Sequence, residues 1–148
     1  MDTAVDKIRN FGFLVRDVSR LCAKRFERNA RELELTLPQC KVLAHLARNE
    51  GISQARLAEL TDTDPMTLVR TLDRMQQDGW IERRPDPADR RAHCLFLLAA
   101  AQPIVERIWS FAEQTRGEAL AALGQGEREQ LVDLLERVHG TLLGLESK

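Results

Sequence analysis

Cysteine is scarce and scattered in this chain. Among 148 residues it occurs at Cys22, Cys40 and Cys94, with no CxxC pair. An odd, widely spaced set builds no disulfide framework, and free thiols in a reducing compartment are expected. Histidine is equally sparse. His45, His93 and His139 stand apart, without His or carboxylate partners at metal spacing, so no metal site is read. There is no glycine-rich phosphate loop and no Ser, His and Asp set at a nucleophile elbow, which argues against catalysis and against a cofactor. The longest apolar run, Cys94 to Ala101, falls far short of the about 20 residues that span a membrane. The start, Met1-Asp2-Thr3-Ala4, lacks the basic-then-apolar pattern of a secretory signal. The expectation is a cytoplasmic protein that has no membrane partner and is no enzyme.

What is present suits an ordinary globular chain: 43% apolar and 30% charged residues, enough to bury a core without a disulfide or metal. Net charge is −1, so there is no overall basicity to advertise a nucleic-acid partner. The distribution says more. Residues 98–148 are acidic in balance, whereas residues 83–93 hold Arg83, Arg84, Arg90 and Arg91 against Asp86 and Asp89. A locally positive segment can grip phosphate on a near-neutral body, since fields act within a Debye length of about 8 Å.

Apolar residues recur every three or four positions over 4–34, from Val5 and Ile8 through Val18 and Phe26 to Leu33, predicting one long helix. Thr36-Leu37-Pro38-Gln39 reads as a capping box with proline in the first turn, opening a second helix that ends at Asn49-Glu50-Gly51. Ser53 caps a short helix, Gln54 to Leu60, with Leu57, Ala58 and Leu60 facing inward. Asp64-Pro65 opens a fourth, running to about Gln77 and stopped by Asp78-Gly79. Residues 80–84 and 92–97 read as short strands, and the proline- and aspartate-rich stretch 85–91 as a loop. Helical spacing returns over 99–123 and again over 127–145. The fold class is mainly α with a small β-hairpin.

Two helices at 53–60 and 64–77 joined by a short turn match a helix-turn-helix, and the hairpin after them sits where a wing would. If the apolar stripe of the second helix is buried, its opposite face presents Met66, Thr67, Arg70, Thr71 and Arg74. Small polar residues there can approach base edges, and Arg70 can reach a guanine or a phosphate. The N-terminus of that helix favours an adjacent phosphate. Arg90 and Arg91 at the hairpin tip suit a minor groove. Spacing alone leaves a plain helical bundle with a solvated charged face equally open.

The segments Leu68-Val69-Arg70-Thr71-Leu72-Asp73-Arg74-Met75, Asp78-Gly79-Trp80-Ile81-Glu82-Arg83 and Asp89-Arg90-Arg91, with Leu95 and Leu97, resemble the MarR family, and most of all its SlyA-like branch. Arg16 and Pro103 also fall in matching places. The resemblance implies a winged helix-turn-helix DNA-binding domain over 36–98, and a helical dimerisation region over 1–35 and 99–148. It implies a recognition region from Thr63 and Asp64 to Arg74, with Ser53 and Gln54 near backbone phosphate. Asp89 would pair with an arginine to hold the wing, and Arg91 would enter the minor groove. The family usually follows the second wing strand with Leu-Thr and then a glycine. Here Leu97-Leu98-Ala99-Ala100-Ala101 stands instead, so an irregular or differently capped helix start is expected.

Double-stranded DNA is thus the expected partner, bound by a homodimer on palindromic operators as a ligand-responsive repressor. Dimerisation is also expected from the flanking stripes, which so small a core cannot cover, with one larger intramolecular bundle as the alternative. Val5, Ile8, Leu131, Leu134, Val138, Leu142 and Leu145 are the candidate interface. The resemblance implies a pocket for a small aromatic or amphipathic effector, with Arg16 and His45 as candidates. Some relatives sense oxidants through a first-helix cysteine, which would be Cys22, although the chain has no tyrosine to flank it. A redox-sensing regulator and a winged-helix protein-interaction module without DNA binding remain the alternatives.

Overall fold

Asn10 and Gly12 are weak helix formers, and the long first helix is interrupted there rather than continuous over 4–34. In the computed structural model residues 4–147 are described, with side chains from Lys7 onward, so the side chain of Val5 lies outside the described ones. Helix α1 (Ala4–Arg9) gives way at Asn10 to α2 (Phe11–Asn29). The Asn10 N–H donates to the Lys7 carbonyl at 3.3 Å, and the Asn10 carbonyl accepts the Leu14 N–H at 2.9 Å. A 3-10 turn, Arg31–Leu33, closes the segment, with Glu34 in the left-handed region at φ 55°.

Side-chain caps then set the next three helices. Thr36 Oγ1 accepts the Gln39 N–H at 3.2 Å while Gln39 Oε1 accepts the Thr36 N–H at 3.0 Å, the reciprocal box that opens α3 (Leu37–Arg48). Ser53 Oγ accepts the Arg56 N–H at 3.1 Å and opens α4 (Gln54–Leu60). Asp64 caps α5 (Pro65–Gln77), with Pro65 in the first turn, where no N–H partner is needed. Gly79, at φ 78°, reverses the chain after α5 so that the Trp80 N–H reaches the Met75 carbonyl at 3.1 Å.

The hairpin is longer than the sequence suggests. Strand β1 (Ile81–Asp86) pairs antiparallel with β2 (Asp89–Leu97), and only Pro87 and Ala88 lie between them. Residues 85, 86 and 89–91 are therefore strand rather than loop. Pro85 is tolerated because β1 is an edge strand of the two-stranded ribbon, and the register shifts at Pro85/Asp86. Strand β2 is also stitched to the segment before α4. The Leu95 N–H donates to the Ile52 carbonyl at 2.9 Å and the Gly51 N–H donates to the Leu95 carbonyl at 2.8 Å.

The core joins these pieces. Leu43 and Leu46 of α3, Leu57 of α4, Leu72 and Met75 of α5, and Leu95 of β2 are fully buried, and Leu68 and Ile81 nearly so. Each such side chain contributes about 1.5–3 kcal/mol by leaving water. Leu60 is not inward-facing as expected but 37% exposed. After β2 the chain makes a 3-10 turn, Ala99–Ala101, before α6 (Gln102–Ala119), and Leu98 at its start makes no side-chain cap bond. The irregular start expected from the missing threonine is what the backbone adopts. Val105 and Ile108 of α6 complete the core.

The chain divides into two compact units, Met1–Thr115 and Arg116–Lys148. The second contains the end of α6 and α7 (Gln125–Glu146). Glu127 Oε1 accepts the Gly124 N–H at 2.9 Å at the start of α7, and no residue of this helix is buried. Leu131, Leu134, Leu135, Val138, Leu142 and Leu145 are all exposed along it. Helix α2 likewise buries nothing, and Ile8, Phe11, Leu14, Val18 and Leu21 lie open.

Candidate nucleic-acid interface

Helix α5 is fixed by its inward stripe of Leu68, Leu72 and Met75, which leaves Met66, Thr67, Arg70 and Arg74 exposed on the other side. Thr71 is half-buried, its hydroxyl donating to the Thr67 carbonyl at 3.1 Å. Arg74 lies 3.6 Å from Asp78 across an exposed surface, a weak restraint. Among the described residues the side chains of Arg70, Arg90 and Arg91 have no hydrogen bond or ion pair to protein. On α5 and the wing, these are the cations that the fold leaves for an outside partner.

The N-terminus of α5 is already occupied. Asp64 Oδ2 accepts the N–H groups of Met66 at 3.1 Å and Thr67 at 3.2 Å, so the donors expected to meet a phosphate serve the cap instead. Thr63 donates its hydroxyl to the Thr61 carbonyl at 3.2 Å. A cleft of about 910 Å³ brings Ser53, Gln54, Thr63, Asp64, Asp89 and Arg91 together, so three separate sequence segments line one hollow between α4, the start of α5 and the wing. Glu59, Asp62 and Asp86 line it too, so Arg91 is the one arginine or lysine there beside five carboxylates.

The four wing arginines divide by strand alternation. Arg83 shares the face of buried Ile81 and turns toward α5. Its guanidinium meets Asp73 Oδ1 at 2.8 Å, and its side chain is only 16% exposed. Arg84 points the other way, 4.0 Å above the Phe96 ring and 3.2 Å from Glu82. Neither needs a nucleic acid to satisfy its charge, unlike Arg90 and Arg91. The expected pairing of Asp89 with an arginine is not formed. Its Oδ1 accepts the Arg91 backbone N–H at 3.0 Å, because Asp89 opens β2 beside a two-residue turn and reaches its own backbone first. The aspartate that does pair with an arginine to hold the wing is Asp73. Sequence reading missed it, although Val69, Asp73 and Gln76 follow an i, i+4, i+7 row on one flank of α5.

A second hollow, of about 430 Å³, is lined by Phe26, Glu27, Ala30, Arg31, Leu37 and Cys40 among others. Arg16 and His45 do not line it. Burial, then the cations Arg48 and Lys41, hold the His45 imidazole below its ordinary range. Burial, aided by Glu27, pushes the Cys40 thiol up to about 11. Cys94 is likewise raised by desolvation and by Asp86, and Cys22 is half-buried on α2. Among the described residues no helix is long and apolar enough to cross a membrane.

The family model for MarR matches residues 35–104. A crystal structure of MarR is similar at 26% identity over 92% of each chain, with a TM-score of 0.82. A cysteine-to-serine variant of MarR from E. coli, solved in complex with operator DNA, is 26% identical, with 93% of this chain and 99% of that one covered and a TM-score of 0.75. A MarR transcriptional regulator from Methanosarcina mazei Go1 shares the fold at 19% identity, with 93% and 99% covered and a TM-score of 0.83.

Proposed function

We propose, from the premise that by family model and by structural neighbours this chain falls in the MarR family and has its transcription-regulator fold, that it binds double-stranded DNA as a homodimeric, ligand-responsive repressor. The observation that carries the reading is the outward face of α5. Thr67 and Arg70 are exposed, Arg70 is unpaired with protein among the described residues, and Arg90 and Arg91 stand equally unpaired on the adjoining wing. Thr67 and Arg70 would read base edges in a major groove, and Arg91 would lie near a minor groove. The operator complex of the E. coli relative supports this assignment.

Exposed Ile8 of α1 and the exposed apolar faces of α2 and α7 support a second copy as their cover, with Ile8, Leu131, Leu134, Val138, Leu142 and Leu145 in the interface. On this reading residues 1–35 and 99–148 form the dimerisation region and residues 36–98 the DNA-binding domain. Two such domains related by a two-fold axis fit a palindrome with half-sites about one turn apart. The hollow beside Phe26 and Arg31 suits a small aromatic or amphipathic anion, whose binding would favour one wing spacing over another. The wing motif further supports the SlyA-like branch. Sites of action inside the cytoplasm follow from the same function.

Selection of duplexes from a random pool by the purified protein, followed by binding at several salt concentrations, tests the reading. Enrichment of a palindrome bound more weakly as salt rises is the expected result. An unenriched pool with no salt-sensitive binding would refute it.

A further inference from the structure

We propose that Arg83 is a positioning residue that locks the wing to the recognition helix, and that it does not itself contact the duplex. The proposal rests on the DNA-binding reading for its consequence, though not for its geometry.

Three of the five N–H donors of this guanidinium are committed to hydrogen bonds within the protein, and an ion pair adds a fourth tie. Nη1 donates to Gln76 Oε1 at 2.8 Å and forms an ion pair with Asp73 Oδ1, also at 2.8 Å. Nη2 donates to the Val69 carbonyl at 3.2 Å, and Nε donates to Gln54 Oε1 at 3.4 Å. The acceptors come from two helical turns of α5 and from the first residue of α4, while the donor comes from β1. One planar group therefore ties together both helices of the helix-turn-helix and the wing. The row Val69, Asp73, Gln76 lies on a flank of α5 distinct from the buried stripe of Leu68, Leu72 and Met75 and from outward-facing Thr67, Arg70 and Arg74. The clamp thus restrains α5 without occupying its exposed face.

Burial sets Arg83 apart from the other wing cations. Its side chain is 16% exposed, against 53% for Arg84. A phosphate approaching it would compete with the Asp73 carboxylate, already 2.8 Å away. A lysine would keep the charge opposite Asp73 but lack the planar fork that reaches Val69, Gln76 and Gln54 together.

Arg83→Gln, Arg83→Lys and Asp73→Asn in the full chain test this through two readouts. Hydrogen exchange without DNA reports the wing directly. Amides of 81–97 are expected to exchange faster in Arg83→Gln and Asp73→Asn, with partial recovery in Arg83→Lys. Fluorescence anisotropy then uses a labelled mixed-sequence duplex of about 30 bp, long enough for two half-sites a helical turn apart. Affinity should fall about tenfold in Arg83→Gln, the scale of a lost charge-assisted hydrogen bond, with the salt slope unchanged. A slope lower by about 0.9 with unaltered wing exchange would make Arg83 a phosphate contact and overturn the proposal. Faster exchange spread evenly over the chain, with no excess at the wing, would overturn it as well. Should Arg83→Gln not fold, Asp73→Asn decides, since Asp73 is 59% exposed and its amide keeps the shape. If the unaltered protein binds no duplex, the regulator reading fails while the exchange experiment still decides the clamp.

Discussion

Asp89 Oδ1 accepts the backbone N–H of Arg91 at 3.0 Å, two residues further along β2. The carboxylate shapes the start of the strand and leaves the guanidinium of Arg91 to solvent. Asp89→Asn keeps an acceptor and removes a negative charge from the cleft, so duplex affinity should rise. Asp89→Ala loses the acceptor and should bind more weakly than Asp89→Asn. Anisotropy titrations of both at fixed salt make the comparison, and equal affinities would remove the turn from the account.

Arg70→Ala and Arg91→Ala should each weaken duplex binding without lowering the melting temperature, because neither side chain has a protein partner to lose. If Arg91 meets a phosphate, its removal lowers the salt slope by about 0.9. If Arg70 reads a base, its loss relaxes sequence preference and costs about 1–3 kcal/mol on the selected site. Binding curves at several salt concentrations, with cognate and mixed-sequence duplexes, separate the two roles.

Asp64 caps α5 through two backbone N–H groups. Asp64→Ala should cost about 1 kcal/mol, seen as a fall in melting temperature of about 2–4 °C. Asp64→Asn should be nearly neutral for stability, since asparagine caps as well. A larger loss for asparagine than for alanine would contradict the cap.

Leu72 is fully buried at the centre of the core. Leu72→Ala should destabilise by about 2–5 kcal/mol, measurable by urea denaturation, whereas exposed Met66→Ala should leave stability almost unchanged.

Cys40 is buried, with a thiol pushed up to about 11. Only the thiolate reacts, so Cys40 should be the last of the three cysteines to be alkylated at neutral pH. Its labelling should rise about tenfold per pH unit while the protein stays folded. Mass spectrometry of iodoacetamide-treated protein checks the order. Early labelling of Cys40 would contradict its burial.

Much of this fold was legible in the residues themselves. Thr36 with Gln39, Ser53, Asp64 with Pro65, and Gly79 carry their roles locally, and each marks a helix end where it was expected. The extent of the hairpin was not legible, because Pro85, Asp86 and Asp89 favour turns and only pairing across the ribbon draws them into strands. Asn10 broke a helix whose apolar spacing ran straight through it, a local weakness that periodicity hides. In the candidate site the outward face of α5 followed from its stripe. The separate duties of Arg83 and Arg84 required knowing that Ile81 faces the core, since strand alternation then sends Arg83 inward and Arg84 away.

Leu95 exchanges backbone hydrogen bonds with Gly51 and Ile52 as well as sitting in the hairpin. The hairpin base is accordingly sewn into the floor of the helix-turn-helix, and a flap-like swing about its root would tear those bonds. Adjustment to the contour of a duplex is left to the tip around Pro87 and Ala88, while any larger reorientation must carry α4 and the hairpin as one piece.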